Sequence, residues 1–105
     1  MKIAVTSTGG SLSAQVDQTF GRCAYFIIAD TDNIKKFEPI QNAAASAAGG
    51  AGPLAAKLIN DKGAKVILTG KLGPNAQGAL QQYGIKVVEN VSGKVKDVLE
   101  KYVEK

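Results

Sequence analysis

The sequence predicts a single α/β domain, residues 1–105, with a five-stranded mixed sheet in the order 3-2-1-4-5 and about three helices. Three observations lead there. The apolar periodicity switches along the chain from strand-like runs to alternating helix-like and strand-like runs, giving β-β-β-α-β-α-β-α. A weak internal echo relates Asp61-Lys62-Gly63-Ala64-Lys65-Val66-Ile67 to Gln82-Tyr83-Gly84-Ile85-Lys86-Val87-Val88, each a helix end, a glycine and a strand. Two copies are too few for a solenoid and read as two αβ units of one sheet. Finally, glycine-bearing turns follow the strands that such a sheet places at its centre.

Lys2-Ile3-Ala4-Val5-Thr6 reads as a short buried first strand, ending in the polar turn Ser7-Thr8-Gly9-Gly10-Ser11. Residues 12–22 show no clear period and read as a long loop. Ala24–Ala29 is rich in strand formers, Asp30–Asn33 is a turn cluster, and Ile34–Ile40 partly alternates, so the two runs form a hairpin. Pro39 suits an edge strand, because it cannot donate to a ladder. Asn42–Ala48 reads as a flexible approach to a helix that starts near Pro53, repeats Leu54, Ala55, Leu58 and Ile59 at helical spacing, and stops at Gly63. Lys65–Thr69 is a buried strand. Ala76, Ala79, Leu80 and Tyr83 occupy i, i+3, i+4 and i+7 of a second helix that Gly84 stops. Lys86–Glu89 is the last strand. Ser92 is placed to cap a final helix carrying Val95, Val98, Leu99 and Tyr102.

Right-handed crossovers place the fourth and fifth strands beside the first, with the hairpin on its other side. The first and fourth strands then flank a switch point, where ligands of open α/β sheets sit. Three turns are expected to converge there: Thr6–Gly10, Gly49–Pro53 and Thr69–Asn75. Gly49-Gly50-Ala51-Gly52-Pro53 is the most telling. A glycine loop opening a helix directs free N–H groups and the positive end of the helix dipole at one spot, which favours an anion. The same glycines also fit a tight turn lined with small residues for packing. The convergence of three turns favours a ligand site.

Composition narrows the chemistry. There is one cysteine, no histidine and no tryptophan, and 13 basic against 9 acidic residues give a net charge of +4. No imidazole base or ligand exists. Few aromatics lie near the lysines, so the charge reads as a solvated surface and not a nucleic-acid footprint. No apolar run approaches the roughly 20 residues of a membrane span, and a cytoplasmic monomer is the expectation. The first strand and the three turns hold no carboxylates to bind catalytic metal ions. The glycine loop lacks the Gly-Lys-Ser/Thr ending of a nucleotide-binding phosphate loop. No enzyme is expected. Arg22 reads as a clamp for a charged ligand or as an exposed loop arginine. Cys23 reads as a small buried residue, with a soft-metal ligand as the alternative.

Met1-Lys2-Ile3-Ala4-Val5, Phe20-Gly21-Arg22 with Tyr25-Phe26, Asn42, Gly49-Gly50-Ala51-Gly52, Gly70 with Gly73-Pro74-Asn75-Ala76, and Leu80 with Gly84-Ile85-Lys86-Val87 together resemble the dinitrogenase iron-molybdenum cofactor biosynthesis family. That family includes cofactor carriers of nitrogenase assembly and the small orange protein, which holds a molybdenum–copper sulfide cluster. The resemblance spans nearly the whole chain. It implies a ribonuclease-H-like topology without a nuclease site. It also implies a carrier of a molybdenum-containing metal–sulfide cluster (molybdenum–copper or iron–molybdenum type), a cargo that recombinant protein can lack. Partner proteins of cluster assembly or neighbouring ATPases are implied as well. Many relatives have histidine before Phe-Gly-Arg, where this chain has Thr19, so a histidine-ligated cluster is excluded and the chain falls closer to the orange-protein type. The alternative is an interaction or regulatory module, or a small-anion or nucleotide-binding domain, that kept the fold and lost the metal. The turns and the resemblance together give Thr8, Gly9, Gly10, Phe20, Gly21, Arg22, Asn42, Gly49, Gly50, Ala51, Gly52, Gly70, Gly73 and Asn75 as candidate cofactor-binding residues, with Cys23 the one candidate metal ligand.

Overall fold

Five strands, β1 (Lys2–Ser7), β2 (Tyr25–Asp30), β3 (Asn33–Gln41), β4 (Ala64–Leu68) and β5 (Lys86–Val88), form one sheet in the order β3-β2-β1-β4-β5. The computed structural model describes residues 1–104. β2 and β3 form the antiparallel hairpin, β1 is antiparallel to β2 and parallel to β4, and β5 is parallel to β4. Three helices complete the domain: α1 (Ala51–Asp61), α2 (Pro74–Gln82) and α3 (Val95–Val103). The order and class are those the periodicity predicts.

Side-chain alternation divides the core between the two faces of the sheet. Ala4, Phe26, Ile28 and Ile67 point to the face covered by α1 and α2, where they meet Ala55, Ala56, Ile59, Ala76 and Leu80. Ile3, Val5, Ile27, Ala29, Val66 and Leu68 point to the other face, against Val95 and Leu99 of α3. The β1–β4 register shifts between Lys2 and Ile3, leaving Lys65 exposed. That shift puts Ala64 and Ile67 on one face and Val66 and Leu68 on the other. Pro39 lies in β3, an edge strand, where its missing N–H breaks no ladder on the outer side.

Three local expectations are corrected. α1 starts at Ala51, not Pro53. Gly50 is its N-cap with φ 69°, and Pro53 becomes the third helical residue, where a missing N–H still costs no intrahelical bond. Asn42–Ala48 is not a featureless approach: Ala43–Ser46 form a 3₁₀ helix, which Asn42 caps by accepting from the Ala44 N–H. Ser92 caps nothing, because the α3 N-cap is Lys94, which makes no side-chain capping bond.

The strand order sets the carboxyl ends of β1 and β4 side by side, with Val5 opposite Leu68. Just beyond, the buried Thr6 Oγ1 lies 2.7 Å from the Asp17 carbonyl oxygen and 3.1 Å from Thr69 Oγ1. Thr6 donates its single proton to Asp17, and Thr69 supplies the second bond. The loop after β1 is fixed by long-range pairing. Val16 bridges to Ser7, Thr19 bridges to Lys71, and the Lys71 N–H donates to the Gln18 carbonyl at 2.8 Å.

Candidate functional site

At this carboxyl edge lies a cleft of about 540 Å³. Three segments line it: Thr19–Arg22 of the long loop, Gly50–Pro53 at the start of α1, and Lys71–Ala76 leading into α2. Two helix starts therefore face one cleft. In α1 the first intrahelical bond is Leu54 N–H to Gly50 O at 3.1 Å, and in α2 it is Gln77 N–H to Gly73 O at 3.0 Å. The N–H groups of Ala51, Gly52, Asn75 and Ala76 have no intrahelical acceptor. Neither helix has a side-chain cap, and neither has an acidic residue in its first turn. Each start carries roughly half a positive charge. Arg22 and Lys71 add two full charges, and no carboxylate of the described residues lines the cleft.

Small residues make the convergence possible. A Cβ on Gly52 would sit 2.9 Å from Ala76 Cβ. One on Gly21 would sit 3.0 Å from the Gly52 nitrogen and 3.2 Å from its Cα. The loop, the α1 start and the α2 start are thus stacked at backbone contact. The two helices come this close only because these positions carry so little side chain. Phe20, almost wholly buried, forms the floor and packs on Phe26 with ring centroids 5.4 Å apart.

Arg22 is exposed, and its head group is held. Nη1 donates to the Ala45 carbonyl at 2.8 Å and to the Ala47 carbonyl at 2.7 Å. Both hydrogens of Nη1 are used, leaving the Nε–Nη2 edge of the guanidinium for an anion.

The cleft brings together Phe20, Gly21, Arg22, Gly50, Ala51, Gly52, Gly73 and Asn75 from the expected set. The other candidates lie elsewhere. Thr8, Gly9 and Gly10 do not line it. Gly9 faces Ala14 and Gly10 faces Tyr25 and Pro39, so the first of the three turns meets the third only at Thr6 and Thr69 and does not reach the cleft. Its place is taken by Thr19–Arg22, which the Thr19–Lys71 bridge pulls across. Gly49 is outside the lining, with open space where a side chain would be. Gly70 is buried, and a Cβ there would lie 2.6 Å from Gln18. Its small size is a packing requirement. Asn42 is buried and turned inward onto the backbone.

Cys23 is fully buried in the α1–α2 core. Burial, with Asp17 adding to it, pushes its thiol up to about 12. It stays protonated at neutral pH, and a protonated buried thiol is a poor metal ligand. Among the described residues no group of three or more Cys, Asp or Glu side chains is placed to hold a metal ion. The donors this cleft offers are N–H groups and cations, which suit an anion and not a bare metal ion.

Lys71, Leu72, Pro53, Pro74 and Ala76 also line the cleft and were not singled out from the sequence as site residues. For Lys71 a signal existed, since it is the only cation in the Gly70–Gly73 turn. A second depression of about 330 Å³ lies on the α3 side, lined by Val88, Glu89 and Tyr102 among others. It contains a carboxylate and no helix start.

A family model described as dinitrogenase iron-molybdenum cofactor matches residues 1–105. The apo orange protein from Desulfovibrio gigas superposes with a TM-score of 0.93 at 38% identity, over 98% of this chain and 87% of that one. A NifB-like protein from Thermotoga, solved by NMR, gives a TM-score of 0.83 at 32% identity, over 98% and 87% of the two chains. An uncharacterized protein of Methanocaldococcus jannaschii is 32% identical over 106 residues, which is 99% of this chain and 86% of that protein.

Proposed function

This chain belongs to the dinitrogenase iron-molybdenum cofactor family, and on that premise we propose that it is a non-enzymatic carrier of a preformed, anionic metal–sulfide cluster. The observation that carries the reading is the cleft itself. Two uncapped helix starts, Arg22 and Lys71 face one space of about 540 Å³ with no carboxylate among its lining residues. The family's description as dinitrogenase iron-molybdenum cofactor supports a molybdenum-containing sulfide as cargo, and the sequence resemblance to the orange-protein type makes the molybdenum–copper form the first to test.

The hold is non-covalent. The N–H groups of Ala51, Gly52, Asn75 and Ala76 donate to sulfido or oxo atoms at the cluster surface, as helix starts do to phosphate. The free edge of Arg22 adds a charge-assisted pair and Lys71 a point charge. Glycines at 50 and 73, with open space where a side chain would be, leave the backbone uncovered, so the cargo approaches it closely. With no imidazole and no thiolate, nothing in the cleft bonds to the metal, and release needs no ligand exchange. That suits a carrier that hands its cargo on to partner proteins of cluster assembly.

Reconstitution with tetrathiomolybdate and a cuprous salt, followed by gel filtration, tests the reading. Molybdenum and copper should co-elute with the protein and give a visible charge-transfer band. Metal that fails to co-elute contradicts it. Uptake of ATP or phosphate without metal would instead favour a small-anion or nucleotide-binding domain.

A further inference from the structure

Resting on the carrier reading of this cleft, we infer that Asn42 is a positioning residue: it does not touch the cargo, and it aims Arg22 at it. Asn42 is only 4% exposed and is not among the cleft's lining residues. Its Nδ2 donates to the Gly21 carbonyl at 3.1 Å and to the Cys23 carbonyl at 2.9 Å. Those two residues flank Arg22 in the chain, so one buried amide fixes the backbone on both sides of the arginine. Cys23 Sγ, 3.6 Å from the same nitrogen, is a weaker third partner.

The other end of Asn42 fixes the arginine's head group. Oδ1 accepts from the Ala44 N–H at 3.1 Å and caps the 3₁₀ helix Ala43–Ser46. The Ala45 and Ala47 carbonyls that hold Arg22 Nη1 belong to this helix and its C-cap. Residues 43–50 read Ala-Ala-Ala-Ser-Ala-Ala-Gly-Gly, and apart from the buried methyl of Ala44 such short side chains give the segment little anchorage of its own. The circuit is closed: Asn42 holds the base of Arg22 and also the acceptors for its tip. A guanidinium fixed at both ends presents its remaining edge without first giving up rotamer freedom.

The test is a double-mutant cycle on cargo binding, read by titration of the full chain with tetrathiomolybdate and cuprous ion. Asn42→Ala is neutral, so it does not itself repel an anion. We expect Arg22→Ala to weaken binding about tenfold and Asn42→Ala to weaken it at least threefold. The double variant should bind within about twofold of Arg22→Ala, because a residue acting through Arg22 has nothing to act on once it is gone. A loss that multiplies in full in the double variant would overturn the inference. Should Asn42→Ala fail to fold, Asn42→Ser keeps an acceptor for the Ala44 N–H and removes the reach to Gly21 and Cys23.

A second readout needs no cargo, so it separates failure of this inference from failure of the carrier reading. Arg22 is the only arginine in the chain, and its guanidinium resonances are unique. In the wild type, hydrogen exchange at Nη1 and rotation about Cζ–Nη1 should be slowed. In Asn42→Ala both should speed up at least fivefold. Unchanged Nη1 behaviour refutes the positioning role even if the cluster binds. Faster Nη1 exchange in Asn42→Ala, in a protein that binds no cluster, supports the positioning role and contradicts only the carrier reading.

Discussion

Gly52→Ala adds one methyl at the point where the two helix starts meet. The new Cβ would lie 2.9 Å from Ala76 Cβ and 3.3 Å from Ala76 Cα and nitrogen. Ordinary contact begins near 3.4 Å, so α1 and α2 must separate by about 0.5 Å at their first turns (3.4 less 2.9). Two terms oppose each other. Alanine is the better helix former by up to about 1 kcal/mol, whereas overpacking a close contact costs about 1–3 kcal/mol. The steric term wins, because the neighbour is a buried methyl fixed to the α2 backbone and not the end of a flexible chain. The expected net loss is about 1 kcal/mol, or a melting temperature lower by about 4–8 °C in a domain of this size class. Cargo binding should weaken about threefold or more, since N–H donors from both helices no longer reach one anion. Gly73→Ala is the control. Nothing lies within 4 Å of its Cβ and its φ is −84°, so melting should stay within about 0.5 kcal/mol of wild type. Thermal unfolding and the cluster titration are run side by side on both variants. A Gly52→Ala protein that melts at or above the wild-type temperature and binds normally would refute the close-packing argument.

Three further outcomes are expected. Gly50→Val meets no clash but must hold φ 69°, a strain of about 1–2 kcal/mol; it should still fold, melt lower, and bind the cluster at least about tenfold more weakly, or roughly 1.4 kcal/mol, and normal binding with early melting would make the loop purely structural. Arg22→Ala should flatten the salt dependence of binding measured at two ionic strengths, because one charge contact is gone; an unchanged slope would remove Arg22 from the site. Cys23→Ala should keep cluster binding and cost about 1 kcal/mol at neutral pH, as for small core deletions, and metal loss at unchanged stability would make Cys23 a ligand. The sign of its pH effect follows from the raised thiol. Between 9.0, the ordinary value, and about 12 the folded chain keeps a proton that the unfolded chain loses, so stability falls as pH rises. Denaturant titrations should show the wild-type advantage over Cys23→Ala shrinking across that window, and a constant difference would contradict the burial argument.

The sheet was legible because its determinants are local. Two strand-like runs around Asp30–Asn33 make a hairpin, and crossover handedness places β4 and β5 once their helices are recognised. What escaped the sequence is set by distant partners. Thr19–Arg22 reaches the cleft through a bridge to Lys71, more than fifty positions away, and no local pattern announces it. Thr8–Gly10 looked equivalent to the other glycine turns, yet its neighbours are Ala14, Tyr25 and Pro39. The 3₁₀ helix is built from Ala43–Ser46, which have no amphipathic period, and its one signal is the capping Asn42. Glycine also proved to be three different things. Gly50 supplies a positive φ, Gly52 and Gly70 supply clearance, and Gly73 has neither constraint. Spacing alone does not separate these roles.

In the proposed carrier the two helix starts hold the cargo through their N–H groups. Amide resonances of the 15N-labelled chain, followed during titration with tetrathiomolybdate and cuprous ion, report on those groups one by one, since both metals are diamagnetic in these states. The amides of Ala51, Gly52, Asn75 and Ala76, with Gly21 and Arg22, should shift together and saturate at one equivalent of cluster. Shifts centred on Thr8–Gly10, or on Glu89 and Tyr102 across the sheet, with those amides unmoved, would contradict this mode of binding.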